Sequence, residues 1–155
     1  MKPMDLLFTF RGRISRMPFF LGSLAIGAIW LFLVTIGIIA AFGMADMDGA
    51  YGMDQLVRLF SAGAVVFLLM TPFFLVLAYS NVCLVVKRLH DLGASGWFAL
   101  PLIFGGFMLL PLIMISPEVF VTTSNIFGLV QLVGYLVLLF MPGQSVANSY
   151  GEAFR

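Results

Sequence analysis

The residues best suited to chemistry lie in one short run, Lys87-Arg88-Leu89-His90-Asp91-Leu92-Gly93-Ala94-Ser95-Gly96-Trp97. It offers two adjacent cations, a base next to a carboxylate, and a hydroxyl between glycines. Adjacent cations suit a lipid phosphate or another anion, and Arg11, Arg13 and Arg16 near the amino end would strengthen such a site from the same side of a membrane. Ser95 needs a base on another element to become a nucleophile, yet the chain's single histidine, His90, lies five residues away in the same run. Ser95 therefore reads as a turn hydroxyl. A structural account covers much of the rest. Lys87 and Arg88 suit the negative end of a helix, Gly93 and Gly96 admit positive φ, and Trp97 suits a membrane interface.

These residues sit between long apolar stretches that must position them. Residues 19–45, 59–86, 97–117 and 119–151 carry no charge, and about 20 apolar residues suffice to cross a bilayer. With 62% hydrophobic and 10% charged residues, and a mean hydropathy of +1.11, the chain is one membrane domain. Its charges are segregated. Lys2, Arg11, Arg13, Arg16, Lys87, Arg88 and Arg155 fall in segments that an even number of crossings places together, against Arg58 alone in the alternate loops. The positive-inside rule puts both termini in the cytoplasm, and so small a chain with no other targeting signal suggests a bacterial inner membrane. A signal peptide is the competing reading of the amino end, but the apolar run is too long for one.

The expected fold is all-α: a four-transmembrane-helix bundle with an interfacial arm at 1–17, spans at about 18–43, 57–86, 97–115 and 122–141, and a tail at 142–155. Ser23 and Gly27 have a spacing that permits close helix approach, but such spacings are common by chance and ordinary packing is the better reading. Asp54 is placed to cap the second helix and to pair with Arg58. Pro72 kinks that helix, and Pro101, Gly105, Gly106 and Pro111 make the third irregular. Ser116-Pro117-Glu118 reads as a helix start, Pro142-Gly143 as a stop, and Asn148 and Gly151 as turn formers.

Several chemistries fall away. A lone Cys83 and a lone His90 exclude a Cys/His zinc cage within one chain, and no cofactor motif is present. Asp46-x-Asp48-Gly49 lacks the remaining ligands of a calcium loop and reads as solvated turn carboxylates. A small oligomeric transporter or channel is the alternative function, but the charge-free stretches hold no Lys, Arg, His, Asp or Glu, and Tyr79, Asn81, Gln131, Tyr135 and hydroxyls are among their few polar groups. Nucleic acid is not needed to explain the basic residues, because topology does so.

Phe10-Arg11-Gly12-Arg13-Ile14-Ser15-Arg16, the Lys87–Trp97 run, and Pro142-Gly143 followed by Asn148-Ser149-Tyr150-Gly151 resemble the three signature segments of the YhaH/YhaI-like family of small bacterial inner-membrane proteins, the domain of unknown function numbered eight hundred and five. The resemblance implies a multi-span inner-membrane protein and brings no activity with it. Its motif positions here include Arg13, Arg16, Lys87, Arg88, His90, Asp91, Trp97, Asn148 and Tyr150. Ala94 departs from the basic residue frequent in the family, and the tail ends Glu152-Ala153-Phe154-Arg155 where proline is usual. Gly93-Ala94-Ser95-Gly96 also resembles the nucleophile site of rhomboid-type proteases, but over four residues only. The reading is a non-enzymatic binding or scaffold module. Arg11, Arg13, Arg16, Lys87 and Arg88 would hold anionic lipid headgroups or an acidic partner, with Asp91 and Asn148 orienting them and Trp97 and Tyr150 setting depth. A second copy of the chain or another membrane protein is the remaining class of partner.

Overall fold

The computed structural model describes residues 3–45 and 51–152. Asp46, Asp48 and Gly49 of the first loop, with Lys2 and residues 153–155, lie outside the described residues. The chain is all-helical: α1 (Pro3–Phe8), α2 (Arg16–Met44), α3 (Met53–Asp91), a 3-10 turn (Gly96–Phe98), α4 (Ala99–Met108), α5 (Leu112–Ile115) and α6 (Pro117–Phe140). Four segments, Arg16–Met44, Met53–Asp91, Gly96–Ile115 and Pro117–Phe140, are long and apolar enough to cross a membrane. Their outer faces carry bare apolar side chains such as Leu31, Phe67, Phe107 and Leu129, as lipid contact requires.

Two compact units divide the chain, Leu24–Tyr79 and Met1–Ser23 with Ser80–Arg155. The first pairs most of α2 with the first part of α3. Gly37 and Ala41 lie four residues apart on α2, with Ala45 just past its end, and Ala62 and Val66 lie four apart on α3; apart from Gly37, all of these are buried. Small residues at this spacing let helix backbones approach. A Cβ added to Gly37 would sit 3.5 Å from Val66, an ordinary contact. Trp30 and Phe74 lie tilted at 6.2 Å between ring centroids. The Ser23/Gly27 spacing does not mark such a seam, since a Cβ at Gly27 would meet nothing within 4 Å. Asp54 is not the cap of α3 either, because the helix starts one residue earlier and Asp54 falls in its first turn.

The second unit holds the start of α2, the end of α3 and everything after it. Its buried apolar residues include Ile14, Phe19, Cys83, Leu84, Val85, Ala99 and Leu138. α4 packs on α6 through two glycines: a Cβ at Gly105 would overlap the Phe127 ring, and one at Gly134 would come within 2.6 Å of Leu102. Gln131 donates from Nε2 to the Leu102 carbonyl at 2.8 Å, and the Asn81 amide lies 3.5 Å from the Tyr135 hydroxyl. These two amides are thus used between helices, whereas the Thr35 and Thr71 hydroxyls turn back to carbonyls of their own helix. The third span is broken as its prolines and glycines imply, turning at residues 109–111 before α5. Ser116 caps α6 by accepting the Val119 N–H at 3.4 Å, with Pro117 in the first position. From there α6 runs unbroken through Thr122, Thr123, Ser124 and Asn125.

Candidate functional site

α3 continues past residue 87 to Asp91, so Lys87, Arg88, His90 and Asp91 belong to its last turns rather than to a loop. What stops it is Gly93, at φ +76°, a conformation in which a Cβ is disfavoured. The Ala94 N–H reaches back to the Leu89 carbonyl at 2.9 Å and the Gly93 N–H to that of His90 at 3.1 Å, which is a Schellman cap. Gly96, by contrast, does not take positive φ. Its lack of a side chain is needed for space: a Cβ there would lie 2.9 Å from Val86 and 3.1 Å from the His90 Nε2.

Helical spacing puts Arg88 and Asp91 on one face, where Arg88 Nη1 donates to Asp91 Oδ2. The other carboxylate oxygen, Oδ1, accepts from Arg13 Nε of the arm at 3.2 Å. All three residues are buried, Arg88 at 0% exposure and Arg13 and Asp91 at 4% each. One carboxylate cannot satisfy two guanidinium groups, and backbone carbonyls take the remaining donors. Arg13 Nη1 reaches Val146 at 2.9 Å and Gly151 at 3.3 Å, and its Nη2 reaches Gln144. Arg88 Nε reaches Leu138 at 2.7 Å, Nη1 Ile14 at 3.4 Å, and Nη2 Met141.

Leu138 lies in the last turn of α6 and Met141 just beyond it, where carbonyls lose their intrahelical partners and the dipole is negative. α6 has no basic residue in its own last turn. Arg88 supplies that charge from another helix, and Arg16 Nη1 adds a long contact to the Phe140 carbonyl at 3.4 Å. Lys87, also fully buried, donates to the Asp5 carbonyl of α1. The two arginines and the lysine thereby join arm, α3, α6 and tail.

The tail closes over Asp91. Its Gln144 N–H donates to the Asp91 carbonyl at 2.9 Å, and a Cβ at Gly143 would fall inside the Asp91 carboxylate. Asn148 donates to the His90 carbonyl and to Gln144 Oε1, each at 2.9 Å, and accepts the Tyr150 N–H at 2.9 Å. The Asn148–Gly151 turn lays the Tyr150 ring flat on His90, with centroids 3.9 Å apart and planes within 5°.

The sequence-derived site residues therefore separate into three groups. Arg13, Arg88 and Asp91 form the buried knot, with Lys87 beside it on α3. His90, Tyr150 and Trp97 line one pocket, with Asn148 holding its tail side. Arg11 and Arg16 remain on the surface. Gly143 and the carbonyls of Leu138, Met141, Gln144 and Val146 were not legible as partners. The one available signal was the missing basic residue at the end of α6.

Ser95 accepts the Trp97 N–H at 3.4 Å as a turn cap. Among the described residues no hydrogen bond joins it to His90, and Asp91 is held by arginines, so no triad is assembled. Among those residues no group of three His, Cys, Asp or Glu could hold a metal.

No curated protein and no solved structure matches the chain. The model of the DUF805 family, described as a protein of unknown function, matches residues 7–152, a span that takes in arm, loop and tail alike, and the chain belongs to that family.

Proposed function

We propose that the protein is a non-enzymatic scaffold module of the bacterial inner membrane, with both termini cytoplasmic, whose inner face holds anionic phospholipid headgroups at its surface arginines. The observation that carries this reading is a cleft of about 500 Å³ with exposed Arg16 at one side and Met17, Phe20, Leu139 and Phe140 around it. A guanidinium beside apolar walls matches a phosphate with an acyl chain attached. Arg11, also exposed, would lend charge at about 1 kcal/mol per basic residue near an anionic surface. Orientation rests on the basic residues of the arm and of the last turns of α3, against Arg58 alone near the other end of that helix. In this reading Arg88 serves the lipid indirectly, by fixing the end of α6 that forms one wall, while Arg13 holds the tail and Lys87 holds α1.

Native mass spectrometry of protein released from native-membrane nanodiscs tests it. Wild type should retain anionic phospholipid that an Arg11→Ala/Arg16→Ala double variant loses. Equal retention by both, or an acidic protein retained in place of lipid, would overturn the headgroup reading.

A further inference from the structure

The three motif segments enclose a second space, independent of the lipid reading above. It is a cavity of about 580 Å³ bordered by Phe10 from the arm, His90, Ser95 and Trp97 from the α3–α4 junction, and Tyr150 from the tail. That volume lies in the range of small-molecule sites. We infer that it is a binding site for the ring of a lipid-soluble quinone.

Charge decides against the other ligand classes. In the junction that frames the cavity three buried cations, Arg13, Lys87 and Arg88, stand against two carboxylates, Asp91 and the Asp5 that faces Lys87. That positive surplus disfavours an ammonium ligand, although the aromatic walls alone would suit one. An anion fares no better. No Lys, Arg, Asp or Glu lines the cavity, and the nearby guanidinium donors are committed to Asp91 and to carbonyls. What remains is a neutral, flat molecule with electron-rich acceptors. A quinone carbonyl is such an acceptor, drawn by the positive surroundings and within the chemistry of the Ser95 hydroxyl, which accepts from Trp97 N–H and retains its own hydrogen to donate.

Shape and access agree. The stacked His90 and Tyr150 rings border the cavity on one side, and Phe10 and Trp97 supply further aromatic surface. Val82, Val86, Ala99 and Leu100 continue the cavity along the apolar faces of α3 and α4, a path suited to an isoprenoid tail. Gly96 keeps it open, since a side chain there would press on Val86 and on the imidazole edge. Binding alone is inferred, with no electron transfer.

The chain's two tryptophans make a test possible, because Trp97 is in the cavity wall and Trp30 is on α2 beside Phe74. Quinones quench indole fluorescence on contact. Decylubiquinone would be titrated into nanodiscs holding Trp30→Phe, in which Trp97 reports alone, and Trp97→Phe, in which Trp30 reports partition into lipid. Trp97 should quench along a saturating curve and Trp30 only in proportion to quinone in the bilayer. In the Trp30→Phe background, Ser95→Ala should raise half-saturation about tenfold, as loss of one hydrogen bond does, and Gly96→Ala should remove saturation. Linear quenching of Trp97 with the slope seen for Trp30 would overturn the site. So would saturation left unchanged by Ser95→Ala, which decides the matter alone if Gly96→Ala fails to fold.

Discussion

The helix pair of Leu24–Tyr79 and the junction of arm, loop and tail bury their interiors by opposite means. The pair uses small apolar residues, Gly37, Ala41, Ala45 and Ala62, and its geometry follows from how near two backbones can come. The junction uses Arg13, Arg88 and Asp91 with carbonyls of the arm, the end of α6 and the tail, and its geometry follows from where donors find acceptors. Small-residue packing admits many sequences and near-equivalent registers. A buried ionic knot does not, since any shift leaves a charge without a partner. The conformation of the arm and tail around this knot is thus specified by where its donors find acceptors.

The comparison breaks most visibly at Asp91. Asp91→Ala leaves two buried guanidinium groups facing each other and should destabilise the protein by about 3–5 kcal/mol, read by SDS-titrated unfolding in bicelles with circular dichroism. Next comes Gly143→Ala, whose new methyl would occupy the carboxylate's place. Overpacking of this kind costs about 1–3 kcal/mol, and limited proteolysis should show the tail cleaved faster than in wild type. The same substitution in the helix pair sharpens the contrast by its sign. Gly37→Ala places a methyl at ordinary contact distance within a helix and should be neutral to about 1 kcal/mol stabilising in the same unfolding assay. Equal losses at positions 143 and 37 would erase the distinction between the two regions.

The division into four spans was legible because charge-free runs of this length have no other economical explanation, and Ser116-Pro117-Glu118 announced α6 by cap chemistry alone. Local signals ended there. Arg88 lies 50 residues from Leu138 and Arg13 more than 130 from Val146, and nothing in a spacing rule couples residues so far apart. A basic pair at a helix end reads as surface charge, so its full burial could not be anticipated without the acceptors that the tail and α6 bring. Gly96 misled for a related reason: glycine can mean positive φ or lack of room, and only the neighbours Val86 and His90 decide. His90 and Tyr150 were both singled out, while their stacking depended on the turn that Asn148 closes.

Whether the motif charges act as one internal lock is tested most directly by a double-mutant cycle on Arg13 and Asp91. Unfolding free energies would be measured for Arg13→Met, Asp91→Asn and the combination in the same bicelles. A lock gives a coupling of more than about 1 kcal/mol, with the double variant less damaged than the sum of the singles. Losses that add to within about 0.5 kcal/mol would contradict it and return these residues to the membrane surface as independent charges.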